Sequence, residues 1–137
     1  MVYLLSRIKH KVYNSLLYVA PVKKNKIVFN NFCGKGYGDN PKYIAEEILK
    51  RSRNLDLVWM VNDLHEYLPN GIRPVLNNSR KARYELATSK IIICNVKHAL
   101  VFKKKKKTIL YPNMARIFRF KIYRKRCSRQ ITSRLSK

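Results

Sequence analysis

Three glycines lie within residues 34–38, between the apolar residues 27–29 and the polar pair Asp39 and Asn40. A glycine has no Cβ, so its backbone can approach another backbone or a ligand closely. A strand, a glycine loop and a helix N-terminus together form a corner that binds anions, because the helix presents unpaired N–H groups there. Asp39 or Asn40 can cap this helix, and Pro41 fits its first position.

The glycine spacing differs from the dinucleotide-binding fingerprint, because the third glycine comes too early and no acidic residue ends the next strand. A tight strand-to-helix turn without a ligand is therefore an alternative interpretation. Polar residues 62–63 and 95–98 also follow apolar runs, so they fall at the ends of two further predicted strands. Ligands of open α/β sheets bind beyond the carboxyl ends of the strands. This convergence favours a ligand site at the glycine loop.

Strand-like and helix-like segments alternate from Lys26 onward. The predicted strands are residues 27–32, 55–61, 72–76 and 90–95, with a short strand near residues 108–111. The predicted helices are residues 41–53, with Tyr43, Ile44, Ile48 and Leu49 inward, and a second one that begins at Ser79 and carries Ala82, Tyr84, Leu86 and Ala87. Strands that alternate with helices predict a three-layer α/β domain with a parallel sheet covered on both faces.

The chain of 137 residues is one domain by length, and its formal charge of +24 is extreme for that size. Such a charge implies an anionic partner: nucleic acid, acidic lipid or a polyphosphate polymer. The charge is uneven along the chain. All seven acidic residues precede Lys90, whereas residues 111–137 contain nine Lys and Arg and no acid.

The first segment, residues 1–22, has apolar residues at three- and four-residue steps through Ala20, which predicts a helix. Arg7, Lys9 and Lys11 lie on its other side. Such a helix can lie in the headgroup layer of an acidic membrane, with these three residues contacting the lipid phosphates. An ordinary helix that packs on the core is the alternative.

Several separated motifs occur in a consistent order. They are KIVF at 26–29, GKGYGDNPKYI at 34–44, LVW at 57–59 and YELATSK at 84–90, followed by IIICN. In this order they resemble the CDP-glycerol glycerophosphotransferase family of teichoic acid synthesis, over about residues 23–107. The resemblance implies a Rossmann-like domain, the N-terminal, acceptor-side half of a GT-B transferase with two such domains. It also implies a peripheral enzyme on the cytoplasmic face of the membrane.

The resemblance also implies ligands and site residues. The intact family enzyme uses CDP-glycerol and a lipid-linked teichoic acid acceptor, and no cofactor or metal is expected. Lys35, Tyr37, Asp39 and Asn40 are the candidates for lining the acceptor side of the cleft and binding phosphate, although Asp39 also fits a plain helix cap. Whether the transferred unit is glycerol or ribitol phosphate is left open.

The family's next motif, Ile-Gln-Thr-Trp-His-Gly, is expected at residues 111–116, and its histidine is thought to act in catalysis. This chain has YPNMAR there. One codon string for these residues is TAT CCA AAC ATG GCA CGG, and skipping its first letter gives ATC CAA ACA TGG CAC GG, which encodes the motif. Met is always ATG and every Ala codon begins with G, so the tryptophan is forced; the other residues require permitted codon choices. Lys103 to Lys107 would be encoded by an A-rich tract, where a one-base slip is easy.

These observations predict three segments: the basic helix 1–22, an acceptor-side domain 23–110, and a basic, disordered, out-of-frame tail 111–137. The sequence thus predicts the N-terminal portion of a glycerophosphotransferase, inactive alone because the histidine motif and the donor domain are missing. His10, His65 and His98 do not sit in that motif. The alternative is a small basic protein that binds acidic membrane or nucleic acid; charge alone gives only nonspecific contact with nucleic acid.

Overall fold

One parallel sheet of five strands forms the centre of the computed structural model, which describes residues 12–52, 54–95 and 105–112. The strands are β1 (Lys23–Asn30), β2 (Asp56–Val61), β3 (Ile72–Leu76), β4 (Ser89–Cys94) and β5 (Ile109–Pro112). Their order across the sheet is β3-β2-β1-β4-β5, and every neighbouring pair is parallel. The predicted parallel α/β fold is confirmed.

Three helices accompany the sheet in the described part: α1 (residues 12–19), α2 (Asp39–Arg51) and α3 (Arg80–Thr88). Helix α3 begins as predicted, because the Ser79 hydroxyl caps it by accepting a hydrogen bond of 2.9 Å from the Ala82 N–H. Helix α2 begins two residues before the predicted Pro41, and its N-cap is Gly38 without any side-chain capping bond. Within the described ranges, no helix combines the length and the apolar character that a bilayer crossing requires.

The two faces of the sheet carry separate apolar clusters, because alternate residues of a strand point to opposite faces. On one face Phe29 and Trp59 pack with Ala45 of α2; on the other Val28 and Val58 pack with Leu86 of α3. The domain therefore has three layers, α2, sheet and α3. In α2, Ile44, Ile48 and Leu49 face the core as predicted. Tyr43 was predicted inward and is 67% exposed, because it lies beside the apolar stripe that these residues form.

A buried ion-pair network ties α3 to the sheet. The Lys26 ammonium, 1% exposed, pairs with the Glu85 carboxylate and donates a 3.0 Å hydrogen bond to the Thr88 hydroxyl. Arg73 lies 3.5 Å from Glu85 and donates two hydrogen bonds of 2.8 Å to Asp56. The hydrogen-bonded Arg73 guanidinium holds the pKa of Asp56 below its usual value, although burial opposes this. The network thus joins β1, β2 and β3 to one helix.

The predicted segment boundaries fall partly outside the described residues. Strand β5 includes Tyr111 and Pro112, so it crosses the predicted boundary after Leu110. Arg7, Lys9 and Lys11, as well as residues 113–137, lie outside the described part of the chain. The membrane role of the first group and the disorder of the second stay predictions.

Candidate functional site

Asparagines mark the carboxyl ends of four strands. Asn30 ends β1 and is followed by Asn31, while Asn62, Asn77 and Asn95 come directly after β2, β3 and β4. Parallel strands place their carboxyl ends along one edge of a sheet, so these side chains gather there. The sequence analysis placed Asn62 and Asn95 at this edge and missed Asn77. The signal that could have found the set is an asparagine after each predicted strand.

The glycine loop, residues 31–38, is held against this edge by side-chain amides. The Cys33 carbonyl accepts hydrogen bonds from the Nδ2 atoms of Asn62, at 3.1 Å, and of Asn77, at 2.7 Å. The Asn62 N–H donates to the Gly34 carbonyl at 3.0 Å. A Cβ on Gly34 would lie 3.0 Å from Asn62 Oδ1 and 3.1 Å from the Asn77 Cβ. Close approach of the loop to β2 and β3 therefore requires glycine at this position.

Asn95 connects the loop to the first turn of α2. Its Nδ2 donates to Asn31 Oδ1 at 2.8 Å and to Asp39 Oδ2 at 2.7 Å. Asn31 in turn donates from its own Nδ2 to the Lys35 and Gly36 carbonyls, at 3.0 and 3.1 Å. This chain of donors fixes the orientation of both amides. Asn95 Oδ1 is left buried without a hydrogen-bond partner.

Asp39 has a different local role from the predicted cap. It is the first residue of α2, has a left-handed φ of 59°, and uses its carboxylate to accept from Asn95. Aspartate tolerates the left-handed region better than most residues. Its negative charge still lies in the first helical turn, where it interacts favourably with the helix dipole. Asn40 does not cap α2 either, since no side chain caps this helix.

Tyr37 anchors the loop to the core. Its ring centroid lies 4.7 Å from that of Trp59, which in turn stacks on Phe29 at 5.3 Å. Burial, with the nearby carboxylate of Glu46, raises the pKa of Tyr37 to about 12. The structure thus gives this residue a packing role, and its predicted role in binding the acceptor stays a prediction.

Two backbone N–H groups of the loop are used inside the loop itself. The N–H groups of Gly34 and Lys35 both donate to the Asn31 carbonyl at 2.9 Å, and Asn30 Oδ1 also lies 3.1 Å from the Gly34 nitrogen. These two amides therefore do not form the anion cradle that the glycine cluster suggested. Lys35, Asp39 and Asn40 are exposed around the loop and the α2 N-terminus.

His65 is the one histidine among the described residues. His65 lies in the exposed loop after β2, where its N–H donates to the Asp63 carboxylate at 3.0 Å. His10 and His98 lie outside the described residues, as do Val96 and Lys97. In the described ranges, no group of three or more His, Cys, Asp or Glu could hold a metal ion.

Comparison with known proteins identifies the family. The sequence profile of CDP-Glycerol:Poly(glycerophosphate) glycerophosphotransferase matches residues 12–111. The chain belongs to this family. The match includes the described helix α1 and all but the last residue of β5. The family resemblance found in the separated sequence motifs is therefore confirmed.

Individual relatives agree with this assignment. Teichoic acid poly(glycerol phosphate) polymerase of Staphylococcus epidermidis is 32% identical over 85 residues, which cover 61% of this chain and 12% of that protein. The solved structure of wall teichoic acid polymerase TagF superposes with a TM-score of 0.71 at 25% identity, over 81% of this chain and 30% of the TagF chain. A TagF variant with a histidine replaced by asparagine, soaked with CDPG, gives the same values. This chain therefore matches a minor part of each relative's length.

Proposed function

We propose that this chain is the acceptor-side part of a glycerophosphotransferase that moves glycerophosphate from CDP-glycerol to the end of a lipid-linked teichoic acid chain. The observation that carries the proposal is the family match over residues 12–111. The likeness to the TagF variant that was soaked with CDPG supports it. In a GT-B arrangement a second Rossmann-like domain would face the carboxyl edge of this sheet and hold the donor.

The carboxyl edge offers the groups that an acceptor needs. The acceptor presents phosphates and a terminal hydroxyl. Lys35 and Asn40, both exposed, would donate hydrogen bonds to the phosphate oxygens. The Asp39 carboxylate, on an exposed residue, is an acceptor for a hydroxyl proton.

Transfer also requires a base that takes the proton from the attacking hydroxyl. The family motif would supply it as a histidine at residues 111–116, but this chain has YPNMAR there. The family match ends at residue 111, where this departure begins, which supports a change of reading frame just before it. We expect the 137-residue chain alone to bind acceptor and not to transfer glycerophosphate.

Acceptor binding tests the site directly. The probe is a water-soluble glycerol phosphate dimer, measured by titration calorimetry with the 137-residue chain. Lys35→Ala and Asn40→Ala should each weaken binding, Lys35→Ala by roughly tenfold, because a hydrogen bond to a charged group contributes about 1.5–3 kcal/mol. Lys50→Ala, which removes the same charge from the far end of α2, should change it less than twofold. Equal effects of the two lysine variants would reject the site.

Helix α1 supports a peripheral position at the cytoplasmic face of the membrane. Val12, Leu16 and Val19 share one helical face and are 54%, 66% and 82% exposed. An exposed apolar face beside a strongly basic chain fits the headgroup layer of an acidic bilayer. Deleting residues 1–20 should remove the part of vesicle binding that persists at high salt, because apolar insertion is not screened. Salt-resistant binding that survives the deletion would contradict this role.

A further inference from the structure

A cluster of lysines lies at the amino edge of the sheet, opposite the asparagines. Lys23 and Lys24 begin β1, Lys90 is the second residue of β4, and Lys106 and Lys107 precede β5. We name these five residues the amino-edge lysines. Because all three strands are parallel, their starts lie along the same edge.

The strand register places these lysines at similar positions along the strand direction. Lys23 pairs with Ser89 across β1 and β4, and Ile91 pairs with Ile109 across β4 and β5. The Thr108 hydroxyl donates to the Ser89 carbonyl at 2.9 Å, which fixes the turn before β5 beside the start of β4. Adjacent strands lie about 4.8 Å apart, so the amino-edge lysines form a row about two strand spacings long.

The row makes no direct ion pair with an acid in the described part of the chain. All seven acidic residues of the chain lie in the described part, and the ion pairs there involve none of the amino-edge lysines. Asp56 interacts electrostatically with Lys23 without a direct ion pair, but Asp56 is already paired with Arg73, and Glu85 is paired with Lys26. The Lys90 ammonium donates a hydrogen bond of 3.1 Å to the neutral Lys107 carbonyl. Lys23, Lys24, Lys106 and Lys107 are exposed.

We propose that the amino-edge lysines bind a linear phosphodiester polyanion. A row of lysine positions along one edge of the sheet matches a chain of phosphates in series, and each contact releases a counterion. Lysine binds phosphate as a point charge, so the surface would accept a teichoic-type polymer or a single nucleic acid strand by the same chemistry. It is distinct from the acceptor site, because the eight residues of β1 separate the two edges by roughly 20–25 Å.

The test compares two variants with equal loss of charge. The first neutralises Lys23, Lys24, Lys106 and Lys107 to glutamine. The matched control neutralises four basic residues on the helices, Lys42, Lys50, Arg51 and Lys81. The probes are a long poly(glycerol phosphate), a single-stranded oligonucleotide and vesicles of acidic lipid, each titrated at several salt concentrations with the full chain.

The amino-edge variant should bind the soluble poly(glycerol phosphate) about tenfold more weakly at low salt, with a salt slope shallower by about 3. The control variant on the helices should show a much smaller change in both the affinity and the salt slope. If the amino-edge variant loses affinity for the oligonucleotide to the same extent, the phosphodiester chain alone is the feature that is recognised. If it loses less affinity for the oligonucleotide, the glycerol polymer is the preferred ligand. Equal losses in both variants, or a loss confined to the vesicles, would overturn the proposal.

Lysine acylation read by mass spectrometry adds a local measurement. The soluble polymer should slow acylation of the amino-edge lysines and leave Lys50 and Lys81 unchanged. Protection of Lys35 reports the acceptor site separately. Protection at Lys35 alone would reject this inference and retain the proposed function. Protection at the amino-edge lysines alone would retain this inference and reject the proposed acceptor site.

Discussion

Replacement of Gly34 by alanine tests how the glycine loop is held on the sheet. Gly34 has a φ of +83°, in the region that side chains other than glycine rarely adopt. The added Cβ would meet Asn62 Oδ1 at 3.0 Å and the Asn77 Cβ at 3.1 Å. Both neighbours are fixed, because each donates from its Nδ2 to the Cys33 carbonyl. The loop must therefore move to admit the methyl group.

The expected cost combines two terms. The left-handed backbone costs a non-glycine residue roughly 1–2 kcal/mol. Displacing one of the two amides from the Cys33 carbonyl adds roughly 1 kcal/mol, the usual net value of a hydrogen bond. We expect Gly34→Ala to lower the free energy of unfolding by about 2–3 kcal/mol in urea titrations. Binding of the glycerol phosphate dimer should weaken as well, since Lys35 follows directly.

Gly38 provides the matched control. Its φ of −170° is extended backbone, and a Cβ there would meet nothing closer than Asn31 Nδ2 at 4.0 Å. Gly38→Ala should therefore change the unfolding free energy by less than about 1 kcal/mol, the loss expected when an N-cap glycine is replaced by alanine. If the two variants unfold at the same urea concentration, the loop does not depend on close approach at Gly34.

Three further predictions follow from the charged and titratable groups. Glu85→Gln leaves the Lys26 ammonium buried without its carboxylate and should lower the free energy of unfolding in urea by roughly 3–5 kcal/mol. Glu47→Gln, which removes a partner from a surface pair, should lower it by less than about 1 kcal/mol. Equal losses in the two variants would contradict the buried network. Tyr37 has a pKa of about 12 in the folded protein and of about 10 in the unfolded chain. The stability that its protonated hydroxyl contributes is therefore present below pH 10 and is lost as the pH rises towards 12. Tyr37→Phe should reduce the loss of stability between pH 9 and 11, and an unchanged loss would argue against burial of the hydroxyl. The pKa of Asp56 is lowered in the folded protein, so its ionised carboxylate stabilises the fold above about pH 4, and this stabilisation is lost as the pH falls through the folded pKa. The destabilisation caused by Asp56→Asn should therefore become smaller in acid. A destabilisation that does not change with pH would exclude the ion pair as its cause.

The sheet could be predicted from the sequence because its strands are apolar on both faces and alternate with helices. The runs around Phe29, Trp59 and Ile92 are continuous, as expected of parallel strands that helices cover on both sides. Helix boundaries were less accurate. The start of α2 depends on the left-handed Asp39, whose conformation is stabilised by Asn95, 56 residues further along the chain.

Long-range polar contacts could not be read from the sequence. Lys26 and Glu85 are 59 residues apart, and neither has a local pattern that marks it as buried. The contacts of Asn62, Asn77 and Asn95 were not predicted for the same reason, since each of these amides bonds to a residue on another element. Tyr37 was predicted to line the site because of its position in the loop, and only the structure shows its ring on Trp59.

The central proposal is that this chain is the acceptor-side part of a glycerophosphotransferase and that a change of frame near Lys107 removed its histidine motif. The most direct measurement is incorporation of labelled glycerophosphate from CDP-glycerol into a lipid-linked acceptor, with the 137-residue chain and with a protein whose frame is restored just after Lys107. We predict no turnover by the chain alone, turnover by the restored protein, and a loss of roughly 100-fold or more when the restored motif histidine is replaced by alanine. Turnover by the 137-residue chain itself, or none after the frame is restored, would contradict the account.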